Sequence, residues 1–316
     1  MATITPTVTL IASGLRFPEG PVAMPDGSVI LVEIARQTLS RVTPDGKIHV
    51  IATLGGGPNG AAMGPGGKIY VTNNGGLKFI ERPGKTFPIG QADDYATGSI
   101  QVVDPATGKF ETLYDACDGQ RLRGPNDLVF DRAGGFWFTD LGKTRDRDMD
   151  RGTVYYARAD GSLIKEAIFP LERPNGIGLS PDEKTLYVVE TPTARCWAFT
   201  LSAPGQIESA NGPYRGEKGT VVAGLGGYQM FDSLAVDGEG HIAVATLITG
   251  AVSDIWPDGS RVDQYALPDM MVTNVCFGGR DLRTAFATLS MGGTLVSFPW
   301  PRPGLALNHA SKGDRP

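Results

Sequence analysis

Six times along this chain a polar residue is followed by a short alternating apolar run, a Gly, Asp or Pro turn, and a second apolar run. The segments stack as "PEGPVAMPDGSVILVE" from Pro18, "PNGAAMGPGGKIYVTN" from Pro58, "PNDLVFDRAGGFWFTD" from Pro125, "PNGIGLSPDEKTLYVVE" from Pro174, "FDSLAVDGEGHIAVAT" from Phe231 and "TNVCFGGRDLRTAFAT" from Thr273. Each reads as a β-hairpin, with strand-forming Val, Ile, Tyr and Phe on both sides of turn residues. A repeat of this kind constrains the fold more than any single motif, because each unit must bury its apolar face against the next.

The polar residues of the repeat are Glu19, Asn59, Asn126, Asn175, Asp232 and Asn274. Their spacing averages roughly 50 residues, the length of one four-stranded propeller blade. Segments between the hairpins, such as "GSIQVVDPATGKFETLY" (98–114) and "GTVYYARADGSLIKEAI" (152–168), supply the remaining strands. Long helical periodicity is absent, and 43 Gly and 23 Pro are spread evenly, as many short elements joined by tight turns require. The expected fold is all-β, a six-bladed β-propeller with a central metal site. Residues 1–300 form one domain, the opening "TVTLIASGL" pairs with "GTLVSF" (293–298) to close the ring, and residues 301–316 trail as a mobile tail.

Six equivalent residues, each ahead of the same strand of six blades, face one mouth of the central channel. Two carboxylates and several amide oxygens meeting there, with no thiol or imidazole, describe a site for a hard divalent cation. Ca²⁺ fits best, with Zn²⁺, Mn²⁺ or Mg²⁺ as the other ions to test. Asn and Asp beside Pro and Gly ordinarily serve turns, but Glu19 in the first blade is ill-suited to an Asx turn, so the repeat favours a shared site.

Several other chemistries find no support. Net charge is −5 and no Lys/Arg cluster tracks a phosphate backbone, which argues against nucleic acid. The one dense charge run, "KTRDRDMDR" (143–151), mixes signs and reads as a solvated loop. Cys117, Cys196 and Cys276 are odd in number and far apart, which suits reduced thiols. His49, His241 and His309 are scattered, and Ser233 has neither a nearby His nor a G-x-S-x-G elbow. No signal peptide or membrane span is recognisable, so the expected location is the cytoplasm, without membrane partners.

The motifs E-G-P-x-x-x-x-D-G, P-N-D-x-x-x-x-x-x-G-x-x-x-F-T-D, P-N-G-I-x-x-S-P-D-x-x-x-L-Y, D-S-L-A-V-D and T-N-V-C-F-G-G together resemble the gluconolactonase, regucalcin and senescence-marker-protein family of lactone hydrolases, from about Phe17 to Phe298. The resemblance implies one divalent cation at the axis, with Glu19, Asn175 and Asp232 as ligands and Asn126 joining the metal or holding substrate. It also implies Asp232 as general base. Many relatives carry an Arg two residues before the Asn of the third repeat; here that position is Gly124, with Arg123 and Arg121 just before it. The substrate is therefore open between a sugar lactone and a more apolar one.

The expected substrate contacts are Asn126, Arg123, Asn59, Asn74 at the head of the insertion 73–99, and Tyr228 with Met230 and Phe231 in "GGYQMFDS". The expected activity is hydrolysis of a small-molecule lactone or ester by water activated at the metal and Asp232. Two other readings stay open: a calcium-dependent phosphotriesterase-like hydrolase, and a non-catalytic calcium-binding propeller.

Overall fold

The computed structural model describes residues 1–208 and 219–309. Their strands form six blades around a central channel. The innermost strands are Pro18–Ala23, Pro58–Met63, Pro125–Phe130, Pro174–Leu179, Met230–Val236 and Val272–Gly278. Each pairs antiparallel with the strand that follows it, and each packs against the innermost strand of the next blade until the sixth meets the first.

Why the second strand of each hairpin is so apolar follows from its position. Val29–Glu33, Ile69–Asn73, Gly135–Asp140 and Ile242–Leu247 are buried along their whole length. A propeller blade is covered on both faces by its neighbours, so these strands read as continuous apolar runs instead of alternating ones. The hydrophobic core is accordingly divided among the seams. Blades I and II share Val22, Ile30, Val32, Ala61, Ile69 and Val71, and blades II and III share Tyr70, Ile100, Leu128, Phe130, Phe136 and Phe138. Equivalent clusters fill the other four seams.

Phe136 is fully buried in the II–III seam, 5.2 Å from the ring of Phe130 and 5.7 Å from that of Tyr70. Phe136→Ala is expected to lower the unfolding free energy by about 3–5 kcal/mol. Chemical denaturation checks this, and a loss below about 1 kcal/mol would contradict the seam as the seat of stability.

The ring closes through the N-terminus. Thr9–Ser13 pairs antiparallel with Thr294–Pro299, with Thr9 opposite Ser297 and Ser13 opposite Thr294, which is the pairing expected from the sequence. Thr3–Ile4 goes further and adds to Val262–Ala266 of the fifth blade in parallel. The C-terminal segment does not trail free over its described part. The Trp300 indole and the Arg302 guanidinium donate to Asp237, the Leu305 N–H donates to the Val236 carbonyl, and the Asn308 amide donates to the Phe130 carbonyl at 3.0 Å and Glu183 at 2.7 Å. These bonds lay residues 300–309 across the far end of the channel; residues 310–316 of the expected tail lie outside the described residues.

Candidate functional site

All six innermost strands break their regular pairing near the same place. The register shifts between Glu19 and Val22, Pro58 and Gly60, Pro125 and Leu128, Pro174 and Ile177, Phe231 and Leu234, and Val272 and Asn274. A bulge re-aims a side chain out of the plane of a sheet, and here it does so at the repeat's polar residue. Glu19, Asn59, Asn126, Asn175, Asp232 and Asn274 are all buried.

Glycine makes that convergence sterically feasible. A Cβ on Gly60 would lie 2.5 Å from the Asn126 carbonyl oxygen, and one on Gly176 would lie 2.5 Å from the Leu234 nitrogen. The Gly of P-N-G is thus required by the close approach of neighbouring strands at the axis, not by a turn. Threonines on the second strands tie the ring together: the Thr72 hydroxyl donates to the Asn126 carbonyl at 2.5 Å and the Thr139 hydroxyl to the Asn175 carbonyl at 2.6 Å, each reaching into the next blade.

Around the axis the side chains link across blades. The Asn274 amide donates to Glu19 Oε2 at 3.0 Å, and the Gly20 N–H reaches the same oxygen at 3.0 Å. Asn175 donates to Thr191 Oγ1 at 3.1 Å and accepts from Ser233 at 3.5 Å. Asn126 Oδ1 is buried without a hydrogen-bond partner among the described residues. Buried amide oxygens are rarely left so, and an ion or water is the ordinary completion.

Electrostatically the cluster is one of buried carboxyl groups that resist ionisation when no cation balances them. Burial, then the negative charge of Asp232, holds Glu19 well above the usual carboxylate range, against the hydrogen bond from Asn274. Asp232 is raised likewise by burial and by Asp127, with Asn175 and Arg173 pulling the other way. Asp127 itself is pushed up to about 7 by burial, opposed by its hydrogen bonds with the Leu128 N–H and Ser233. No three His, Cys, Asp or Glu side chains form a metal cage by themselves among the described residues, so any cation here would need amide oxygens as well as carboxylates. From Gly20 and Asn274 a cavity of about 740 Å³ runs down the channel past Asp127 to Leu305–His309.

Other expected contacts lie farther out. Asn74 is buried, but its Oδ1 accepts from the Gly76 N–H at 2.8 Å, an Asx turn opening the insertion. Arg123 is exposed, and its N–H donates to Asp140 at 2.7 Å. Tyr228 is 76% exposed on the mouth-side loop entering the fifth blade. The insertion itself is a hairpin, Leu77–Arg82 with Lys85–Gln91, that reaches from blade II over blade I to blade VI: Phe79 packs on Phe17 at 5.1 Å, and the Thr86 N–H donates to the Met291 carbonyl.

Residues 17–291 match the family described as the SMP-30/Gluconolactonase/LRE-like region. The chain belongs to that family. A gluconolactonase of Zymomonas mobilis is 28% identical over 312 residues, covering 91% of this chain and 80% of the relative. A lactonase drp35 of Staphylococcus saprophyticus is 27% identical over 267 residues, 84% of this chain and 74% of the relative. Among solved structures, a regucalcin from Agrobacterium tumefaciens, described as a calcium-binding protein, superposes with a TM-score of 0.74 at 20% identity, over 97% of this chain and 100% of that one. A gluconolactonase from Xanthomonas campestris superposes at 0.73 and 22% identity, over 93% and 89%.

Two residues beside the axis escaped the repeat-based reading of this family member. Asp127 occupies the position that is glycine in Gly20, Gly60 and Gly176, so the third blade's P-N-D in place of P-N-G was its signal. Arg173, immediately before Pro174, has a φ of 52° and carries the positive charge that bears on Asp232.

Proposed function

We propose that this chain is a lactone hydrolase whose buried axial residues hold one divalent cation. The unpartnered Asn126 Oδ1, set among the buried carboxyl groups of Glu19, Asp127 and Asp232, is the observation that carries the reading. Glu19, Asn126, Asn175 and Asp232 are the residues that would hold the ion, and their all-oxygen character suits Ca²⁺. The lactonase and gluconolactonase names of the relatives support the reaction class.

A bound cation supplies Lewis-acid polarisation of the ester carbonyl and lowers the pKa of nearby water. The protein's own groups do the rest. Asp232 takes the proton from the water that attacks the carbonyl carbon, the ring C–O bond breaks, and the proton passes to the departing alkoxide, so one water is added in all. Asn126 and Asn59 orient the substrate oxygens from inside the channel mouth, while Arg123 and Tyr228 stand at its rim.

A pH-indicator assay over γ- and δ-lactones, with phosphotriesters alongside, tests the proposal. Lactone turnover with Ca²⁺ should fall by about a hundredfold or more on chelation and return on re-addition. Turnover of phosphotriesters alone would replace the acyl reading. No turnover of either class, with Ca²⁺ bound, would make the propeller a non-catalytic calcium binder.

A further inference from the structure

The six repeat positions meet at the axis, but their side chains do not all offer it the same kind of atom. Asn126 has its carbonyl oxygen without a partner among the described residues. Asn175 donates its amide N–H to Thr191 Oγ1 at 3.1 Å, which leaves its carbonyl oxygen on the Ser233 side. Asn274 is the reverse. Its Oδ1 accepts from the N–H of the next residue, Val275, at 2.8 Å, and its amide nitrogen donates to Glu19 Oε2 at 3.0 Å. A backbone N–H can only donate, so the oxygen of the Asn274 amide must lie on the Val275 side and its NH₂ on the Glu19 side. An amide NH₂ is a donor and cannot ligate a cation.

Glu19 Oε2 therefore receives two N–H donors, one from Asn274 across the seam between blades VI and I and one from Gly20 at 3.0 Å. No protein donor reaches Oε1 among the described residues. The Gly20 donor depends on glycine, because its φ is 54° and a Cβ there would lie 2.6 Å from the Ala61 nitrogen. The Asn274 donor is fixed by a cross-tie one residue before each member of the pair: the Ser290 hydroxyl donates to the Pro18 carbonyl at 2.5 Å, and the Thr273 hydroxyl, bonded to Thr288 at 3.0 Å, lies 3.4 Å from the same carbonyl. All of these side chains are buried.

We propose that Asn274 is a positioning residue and not a ligand: by engaging Oε2 it holds Glu19 so that Oε1 alone serves the axial cation. The inference rests on the cation reading above. A carboxylate binds calcium through one oxygen or through both, and a donor fixed on one oxygen settles which. Ligating carboxylates are themselves hydrogen-bonded, and removing such a partner weakens metal binding by about 10–100-fold. The sixth repeat thus supplies no ligand atom, and the first supplies a single oxygen.

Calorimetric titration of the chelator-stripped protein with Ca²⁺ tests this without any need for turnover. Asn274→Ala should weaken Ca²⁺ binding by about 10–100-fold, and Asn274→Ser, whose hydroxyl is too short to reach Glu19, should do the same. Circular dichroism of the metal-free variants identifies one that has not folded, and the other then decides. In a Glu19→Gln background the change at Asn274 should weaken binding by no more than about twofold further, because the group it acts through is gone. The full loss persisting in that background would make Asn274 a ligand in its own right and overturn the inference, as would an Asn274→Ala affinity within about threefold of the parent. Infrared difference spectra, Ca²⁺-loaded minus chelated, add a signature that a merely structural role would not move. The Glu19 carboxylate, identified by its loss in Glu19→Gln, should change the spacing of its two stretching bands in Asn274→Ala as both oxygens turn to the ion, and an unchanged spacing sinks the inference. A parent protein that binds none of Ca²⁺, Mg²⁺, Mn²⁺ and Zn²⁺ fails the cation reading itself and takes the inference with it.

Discussion

Asp232→Asn is expected to keep the propeller and lose at least about a thousandfold in kcat/KM, within the range for removing a positioned general base. The substitution preserves the shape of the side chain and the neighbourhood of Asn175 and Ser233, while removing the group proposed to take the proton. It also removes one of the two carboxylates proposed to balance the cation, so weaker Ca²⁺ binding should accompany the lost turnover. Unfolding would not explain such a loss. Asp232 is buried with its pKa raised by that burial, so a neutral amide there should leave the melting temperature of the metal-free protein unchanged or higher at pH 8. Lactone turnover within about threefold of the parent would remove Asp232 from the mechanism.

The second large effect concerns stability without a cation. Burial raises the carboxyl groups of Glu19, Asp127 and Asp232 in the folded chain, Asp127 to about 7. Between the unfolded carboxylate range near 4 and the folded values, the native state therefore binds more protons than the unfolded state. Stability must then fall as pH rises across that window, by an amount on the order of several kcal/mol for three such groups. The chelated protein should melt markedly higher at pH 5 than at pH 8, opposite to the usual effect of salt-bridged carboxylates. Excess Ca²⁺ should flatten or reverse the trend, because the ion competes with protons for the same oxygens. Melting curves with chelator and with Ca²⁺ at both pH values check this, and a chelated protein that is more stable at pH 8 would show that these carboxyls are not held protonated at the axis.

The architecture was readable because its physical cause repeats. A hairpin with a polar head, recurring six times, forces seams between blades, and the apolar second strands are what those seams demand. The axial residues were readable for the same reason, since equivalence in the repeat became the common register shift that turns Glu19 and its five counterparts inward. What escaped was whatever departs from the repeat. Asp127 breaks the glycine pattern of its neighbours, Arg173 lies one place before the repeat begins, and Lys143 sits inside a run whose composition suggests exposure although a tyrosine from a different blade buries it. Asn74, whose place at a strand end allowed either a turn role or a substrate contact, accepts from the Gly76 N–H and so does serve the turn. Contacts made by long loops depend on where other loops stop, and that information is not local in sequence.

The fastening of residues 300–309 across the far end of the channel also sets how the molecule can be handled. The chain passes His309, whose ring meets Phe130 edge-on at 4.9 Å, on the side opposite the axial carboxyls. At His309 the chain thus stands behind the propeller. Tethering the protein to a bead or electrode through a residue of this 300–309 segment would therefore present the mouth with the axial carboxyls outward, whereas attachment through the Leu77–Gln91 hairpin would turn it to the wall.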